Sequence, residues 1–310
     1  MKEFYTNIRY MEYILFAFLA LLASAGNTIF NRLGANKASA LTNATVKSFF
    51  IVIACFLISL AFGHVKVLYS LTPTQWIWIG VIGILTSIDW FFYFLAIKKS
   101  HLEAFAPFIA AGVLFLSNAL FSIFTFALVT NGGKTLNIIL YFLGLAALLG
   151  SMIFIVLNKQ INPTQKWLWV IFAIVACVSF AFVIVIVKVK LSDVAPDVIS
   201  FQQMSIVFVV MLIASLVTKS IKEIAHISWK DHLFIFAGAV FNALTMVFRY
   251  KALSYSNSIP AIVNIIVALD FVIVSLATII FFKSKNKLQM SIVIGLVLTG
   301  MVLDIIAGLV

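Results

Sequence analysis

Residues 166–190 read KWLWVIFAIVACVSFAFVIVIVKVK, and from Trp167 to Val187 the run holds no charge and a single hydroxyl, Ser179. A helix rising 1.5 Å per residue crosses the roughly 30 Å of hydrocarbon in a bilayer with a run of this length, and satisfies every backbone group internally while doing so. Working outward, the run is preceded by Asn162-Pro-Thr164 and followed by Lys188, Lys190 and Pro196, residues that end apolar helices. The same texture recurs on both sides. Apolar windows give spans near 12–33, 42–63, 75–97, 102–129, 136–157, 166–189, 197–218, 231–252, 258–282 and 288–310. Connectors such as Gly34-Ala-Asn-Lys37, Thr72-Pro-Thr74, Asn131-Gly-Gly-Lys134 and Lys283-Ser-Lys-Asn-Lys287 separate them. The expectation is an all-α membrane protein of ten transmembrane helices.

Composition leads to the same solvent. The 310 residues are 64% hydrophobic and 10% charged, with 31 Phe, a balance that a water-facing surface of this size does not tolerate. The net charge of +11 would suggest nucleic acid in a soluble protein. Here many Lys and Arg fall in short connectors, as topology signals do, so no nucleic-acid partner is expected. Cys55 and Cys177 sit inside apolar runs without metal-ligand neighbours, and neither a disulfide nor a metal site is expected. Lys2 and Arg9 before an apolar run ending Ala23-Ser-Ala25-Gly26 resemble a secretory signal, but the run continues to Phe30 and is read as a helix of the mature protein.

Laid over each other at a shift of 156 residues, the two halves align without a gap. Phe16 meets Phe172, Ala17 meets Ala173, Arg32 meets Lys188, Ser59 meets Ser215, Lys66 meets Lys222, Ser100 meets Ser256, and Gly144 meets Gly300. Chance explains single Ala or Phe pairs in apolar sequence, but less readily a register that aligns polar connectors too. Five helices per half is an odd number, so the second copy enters the membrane from the opposite side. That inverted repeat, 1–157 and 166–310 around a connector at 158–165, is the architecture of alternating-access transporters, with the site near the midplane between the halves.

Two segments carry a family resemblance. Tyr93-Phe-Leu-Ala96-Ile-Lys-Lys-Ser100 followed by Ala104-Phe-Ala-Pro107, and Arg249-Tyr-Lys-Ala252-Leu-Ser-Tyr-Ser256 followed by Ala261-Ile-Val-Asn264, resemble the signature of EamA-like repeats in the drug/metabolite transporter superfamily. Thr28-Ile-Phe-Asn-Arg32-Leu-Gly34 and Leu41-Thr-Asn-Ala-Thr-Val-Lys47 resemble that repeat's first two helices, so the likeness covers essentially the whole chain. It implies a ten-helix secondary carrier or exporter of amino acids, other metabolites, nucleotide sugars or drugs, with no cofactor. The sequence departs from the pattern where an acid commonly ends each repeat's fourth helix: Val129-Thr-Asn-Gly132 and Lys283-Ser-Lys285 stand there instead.

Ionisable groups inside spans are costly, so each is a functional candidate with a partner to be named. In the third span Thr86, Asp89 and Tyr93 share one face; in the eighth Asn242, Thr245 and Arg249 do, at the same positions under the 156-residue shift. Two facing polar stripes predict a central cavity; interhelical glue, the alternative, does not need an Asp and an Arg at such depth. Asn27 and Asn31, with Ser24, add a polar face on the first span, whereas their counterparts Phe180, Val183 and Val187 are apolar. Such a lopsided pocket suits a substrate with one polar and one apolar end. Asn264 joins the substrate-binding set from the ninth span. Asp270, mid-span, and Asp89 are candidates for proton coupling, with an ion pair from Arg249 or Lys251 to Asp270 as the static alternative. Arg32 and Lys188 read equally well as snorkelling cations. Lys47 is placed within reach of an interface, and Tyr93, Trp90 and Tyr250 are candidates for the pocket lining, although aromatic residues in a span are more often lipid-facing or interfacial. Asp304, close to the C-terminus, is set aside. Small residues Gly144, Gly150, Gly295 and Gly300 predict close helix packing, within the monomer or in a homodimer.

No HExxH, CxxC, Gly-x-Ser-x-Gly or phosphate-binding loop occurs, so no enzyme and no primary pump is expected. The reading is a secondary transporter of a small polar metabolite, an amino acid or related zwitterion or anion, in a bacterial inner (plasma) membrane with lipid around it. Basic span residues outnumber acidic ones, the reverse of what a cationic drug exporter wants. The alternatives are a lipid or drug exporter or flippase of the same fold, or a non-transporting scaffold. Connector charges put both termini outside by the positive-inside rule, whereas the resemblance implies both in the cytoplasm; on either reading they share a side.

Overall fold

The computed structural model describes residues 2–34, 38–100, 102–125, 135–158, 167–256, 258–281 and 287–309. The connectors expected at 131–134 and 162–164, His101, and most of 283–287 lie outside them. Among the described residues all regular structure is helical. The order is α1 (Lys2–Gly34), α2 (Ala40–Ala61), α3 (Pro73–Lys99), α4 (Leu102–Thr125), α5 (Thr135–Leu157), α6 (Trp167–Lys190), α7 (Pro196–Val217), α8 (Trp229–Ser254), α9 (Pro260–Ala268), α10 (Asp270–Phe281) and α11 (Lys287–Leu309), with short 3₁₀ turns at Val67–Tyr69 and Ser220–His226. Nine stretches among them are long and apolar enough to span a bilayer, α9 and the start of α10 counting as one; the apolar part of α4, Ala104–Leu120, is shorter. The chain is an all-α, multi-pass membrane protein.

The sequence explains where helices begin. The Ser39 hydroxyl accepts from Thr42 N at the start of α2, and Thr72 with Gln75 closes a capping box ahead of Pro73 on α3. Ser228 caps α8 through Asp231 N, and Pro196 opens α7, where its missing N–H costs nothing. These boundaries recur at the shift read from the sequence. Ala40–Ala61 and Pro196–Val217 are 156 residues apart at both ends, the caps Thr72 and Ser228 are the same distance apart, and so are the ends of α1 and α6 at Gly34 and Lys190. Among the described residues the two with positive φ match as well: Gly63 at φ 72° follows α2 and Lys219 at φ 61° follows α7. A left-handed residue after a helix turns the chain out of it; glycine adopts that conformation freely, whereas lysine does so against steric resistance.

One expected span is not continuous. The segment read as one helix over 258–282 is α9 and α10, parted at Leu269, whose N–H is shared among the carbonyls of Ile265, Ile266 and Val267. The shared bond ends one helix and lets the next start on Asp270, an acid at the electropositive end.

Packing joins the halves helix by helix: α1 lies on α8, α3 on α6, α2 on α7, α5 on α11, and α4 on α6, α9 and α10. In α1, Tyr13, Ala17, Ala20 and Leu21 are buried while Leu15, Phe18 and Leu22 are exposed. That stripe is what a helix facing protein on one side and lipid on the other requires. Lipid tails are as apolar as leucine, so association leans on close packing at small residues. Gly144 and Gly300 show it: a Cβ built on either would lie 3.0 Å from the other's carbonyl oxygen.

Candidate functional site

Helices α1, α2, α3, α4, α6, α8, α9 and α10 line a cavity of about 150 Å³, room for on the order of ten water molecules. Asn27, Asn31, Asp89, Tyr93, Asn242, Thr245, Arg249 and Asp270 all line it. Thr86 and Asn264 do not. Thr86 Oγ1 accepts from Gln203 Nε2 at 2.6 Å, and Asn264 Nδ2 reaches Ser117 Oγ at 3.4 Å, so both are spent on ties between helices.

Beside Tyr93, Cys177 and Tyr250, the cavity wall holds four charged side chains, Lys47, Asp89, Arg249 and Asp270, which differ in how directly they are bonded. Lys47 is 2% exposed rather than at an interface, its Nζ donating to Asn27 Oδ1 at 2.6 Å and Asn31 Oδ1 at 2.5 Å. The same ammonium stands 5.0 Å from the Trp90 ring centre and 5.8 Å from that of Phe94, a second source of stabilisation for a desolvated cation. Asp270 Oδ2 accepts from Ser24 Oγ at 2.5 Å. It makes no ion pair with Arg249 or Lys251; Lys251 lies over Tyr255 at 5.3 Å instead. Lys47 and Asp270 therefore take their direct hydrogen bonds from neutral neighbours.

Asp89 and Arg249 have no direct bond of that kind, although Lys47 faces Asp89 and Asp270 faces Arg249 electrostatically. Asp89 is 8% exposed, and its carboxylate receives no hydrogen bond or ion pair from the described residues. Arg249 is 7% exposed; its guanidinium lies 5.1 Å over the Phe180 ring, and its Nε has no acceptor. Phe180 is the counterpart of Ser24 under the 156-residue shift, so the apolar side of the lopsided pocket is where Arg249 lies. A buried charge without a direct hydrogen bond or ion pair lines a space in which a ligand can supply one.

The basic residues at helix ends have another task. Arg32 donates to Ile97 O at 2.7 Å, and Lys188 donates to Leu253 O at 2.9 Å, Tyr255 O at 3.0 Å and Ser258 Oγ at 2.9 Å. Ile97 and Leu253 are again 156 residues apart. Each cation closes the C-terminal end of the third or eighth helix, where carbonyls lack partners and the dipole is negative. Neither lines the cavity.

Trp90, Tyr250 and Lys47 belong to the cavity wall although their residue types pointed to lipid or interface. Tyr250 donates to Gln203 Oε1 at 2.8 Å, extending the tie that also holds Thr86. The signal that could have found Lys47 is its depth: it is the eighth residue of α2, about 10 Å along the helix from its start, with two amides on α1 as acceptors.

Fold and cavity together define a polytopic membrane protein with a charged central pocket. Residues 167–305 match the model of the EamA-like transporter family, the family whose repeats the sequence resembles. A solved crystal structure superposes on the chain with a TM-score of 0.62 and 15% identity, covering 95% of this chain and 96% of its own, which shows a shared fold. No curated protein matches the chain in sequence.

Proposed function

We propose that the chain is a secondary carrier that moves a small zwitterion, an amino acid or a close relative, by alternating access across a bacterial inner membrane. The observation that carries this reading is the pair of opposite charges in one cavity that make no direct hydrogen bond or ion pair with the described residues: Asp89 on α3 suits an ammonium group, and Arg249 on α8 suits a carboxylate. Four groups of balanced sign leave the site neutral when Lys47 and Asp270 are included, which favours a solute that is itself neutral overall but charged at both ends.

The architecture supports movement. Helix boundaries repeating at 156 residues, and contacts that map onto themselves when the halves exchange (α1 on α8 becoming α6 on α3), are what two inverted five-helix copies produce. The matched family is one of transporters, and we read no enzymatic activity into the site.

The test is binding and uptake with purified protein in proteoliposomes against amino acids, anions and organic cations. Arg249→Gln is expected to weaken zwitterion binding about tenfold or more, because a hydrogen bond to a charged group contributes roughly 1.5–3 kcal/mol. Asp89→Asn is expected to do the same while sparing simple carboxylates. Unchanged zwitterion binding in Arg249→Gln, with loss of organic-cation binding in Asp270→Asn, would favour a cationic drug exporter. Absence of flux for every solute would leave a scaffold.

A further inference from the structure

Apart from the cavity, one acidic side chain among the described residues is buried in the bundle without a counter-charge. Asp304 of α11 is 4% exposed, in the wall that α11 shares with α4 and α5. Its Oδ2 accepts from Asn118 Nδ2 at 2.7 Å, while its Oδ1 receives no hydrogen bond. A Cβ at Gly144 would overlap that Oδ1, so the glycine makes the space that the carboxyl group fills. We propose that Asp304, with Asn118 and Gly144, forms a second site within the membrane that binds and releases a proton.

The surroundings decide the chemistry. No Lys, Arg or His lies within 4.0 Å of the carboxyl among the described residues. Of the helices packed on α11, α5 carries Tyr141 as its one ionisable side chain, α9 carries none, and α10 carries Asp270, which is bonded to Ser24. On α4 the remaining acid is Glu103, fifteen residues and about 22 Å of helix before Asn118. A carboxylate placed here would have one hydrogen bond and no cation, in a protein interior bounded by lipid. A proton on the group removes the charge. The carboxamide of Asn118, having both a donor and an acceptor, can serve the acid and the carboxylate alike. The cavity is not involved directly, since neither Asp304 nor Asn118 nor Gly144 lines it. Communication runs through α4, which carries Asn118 and Ser117 at one end and Phe105, Ile109 and Val113 of the cavity wall at the other, with Ser117 tied to Asn264 of α9. What the proton is used for rests on the carrier reading: charge appearing at Asp304 would displace α4 and with it the cavity wall.

The experiment uses the full chain in detergent or liposomes and dicyclohexylcarbodiimide, an apolar reagent that adds to protonated carboxyl groups, with the adduct located by peptide mass spectrometry. An adduct on Asp304 at neutral pH, lost when the pH is raised, is expected. An Asp304 that stays unmodified in folded protein under conditions that modify it in unfolded protein overturns the proposal, and this arm needs neither a variant nor a substrate. In the second arm, Asp304→Asn, which keeps shape and the link to Asn118, is expected to retain solute binding and lose the dependence of uptake on an imposed pH gradient. Retention of that dependence overturns the coupling role. Should no solute be carried at all, the carrier reading fails while the adduct still decides the proton site.

Discussion

Lys47 shows how a span-buried cation is tolerated, and what removing it does. Its ammonium satisfies two amide oxygens, Asn27 Oδ1 and Asn31 Oδ1, that have little else to accept from at that depth. Lys47→Met is expected to lower stability by roughly 1–3 kcal/mol through acceptors left without a donor. Thermal unfolding in detergent checks this, and an unshifted midpoint would show that water replaces the ammonium. The stripe carrying Asp89, Tyr93, Asn242, Thr245 and Arg249 was legible because residues at helical spacing share a face whatever the helix packs on. Two members of the expected set, Thr86 and Asn264, share the residue chemistry of the site but are diverted to Gln203 and Ser117 on other helices. Spacing along one helix holds no information about which neighbour will supply a donor. For the same reason the sequence could not pair Ser24 with Asp270, 246 residues away.

At the level of elements, the start of α2 depends on a residue from a distant loop. Glu223, in the 3₁₀ turn after α7, accepts from Ser39 N at 2.7 Å and from Thr42 Oγ1 at 3.0 Å. The backbone hydrogen bond from Ser39, aided by the side-chain bonds, holds its carboxyl below the ordinary value of 4.5. A depressed carboxyl value means that the contribution is present at neutral pH and is lost as the pH falls through the folded-state value. Glu223→Gln is therefore expected to speed amide exchange in the first turn of α2 at neutral pH, with the difference from the parent vanishing in acid below the usual carboxylate range. A difference that persists there would assign the effect to shape rather than charge. A second element-level expectation concerns α5 and α11: Gly300→Leu is expected to be strongly destabilising in a thermal-unfolding assay, because even a Cβ there would lie 2.8 Å from Leu148 Cγ. Spans and caps were legible from Pro, Ser and Thr at helix starts. The break at Leu269 was not, because Val267-Ala-Leu-Asp270 contains neither Gly nor Pro. The interruption lies in how one N–H is shared and in where Asp270 finds Ser24.

For the whole molecule, the two halves meet along α2 and α7, and two polar ties close that seam at its opposite ends. At one end His64 Nδ1, following α2, lies 3.0 Å from Asp197 Oδ1 in the first turn of α7. At the other, Glu223, following α7, holds Ser39 and Thr42 at the start of α2. Antiparallel α2 and α7 put these ties at opposite faces of the bundle, and exchange of the halves carries one location onto the other. The 156-residue register was visible in sequence because it aligns connectors as well as apolar runs; the ties were not, since His64 and Asp197 are not counterparts under that shift and meet only through packing. On the carrier reading proposed above, alternating access requires one end of the seam to part while the other stays closed. In a background with Cys55 and Cys177 replaced by Ala, cysteines at His64 and Asp197, or in a separate protein at Thr42 and Glu223, can be joined by a short bifunctional thiol reagent. Each cross-link is expected to stop uptake in proteoliposomes while solute binding in detergent survives, with uptake restored when a cleavable linker is cut. Undiminished uptake with either end joined would mean that α2 and α7 move as one body, and the opening would then have to lie between α5 and α11 or beside α4.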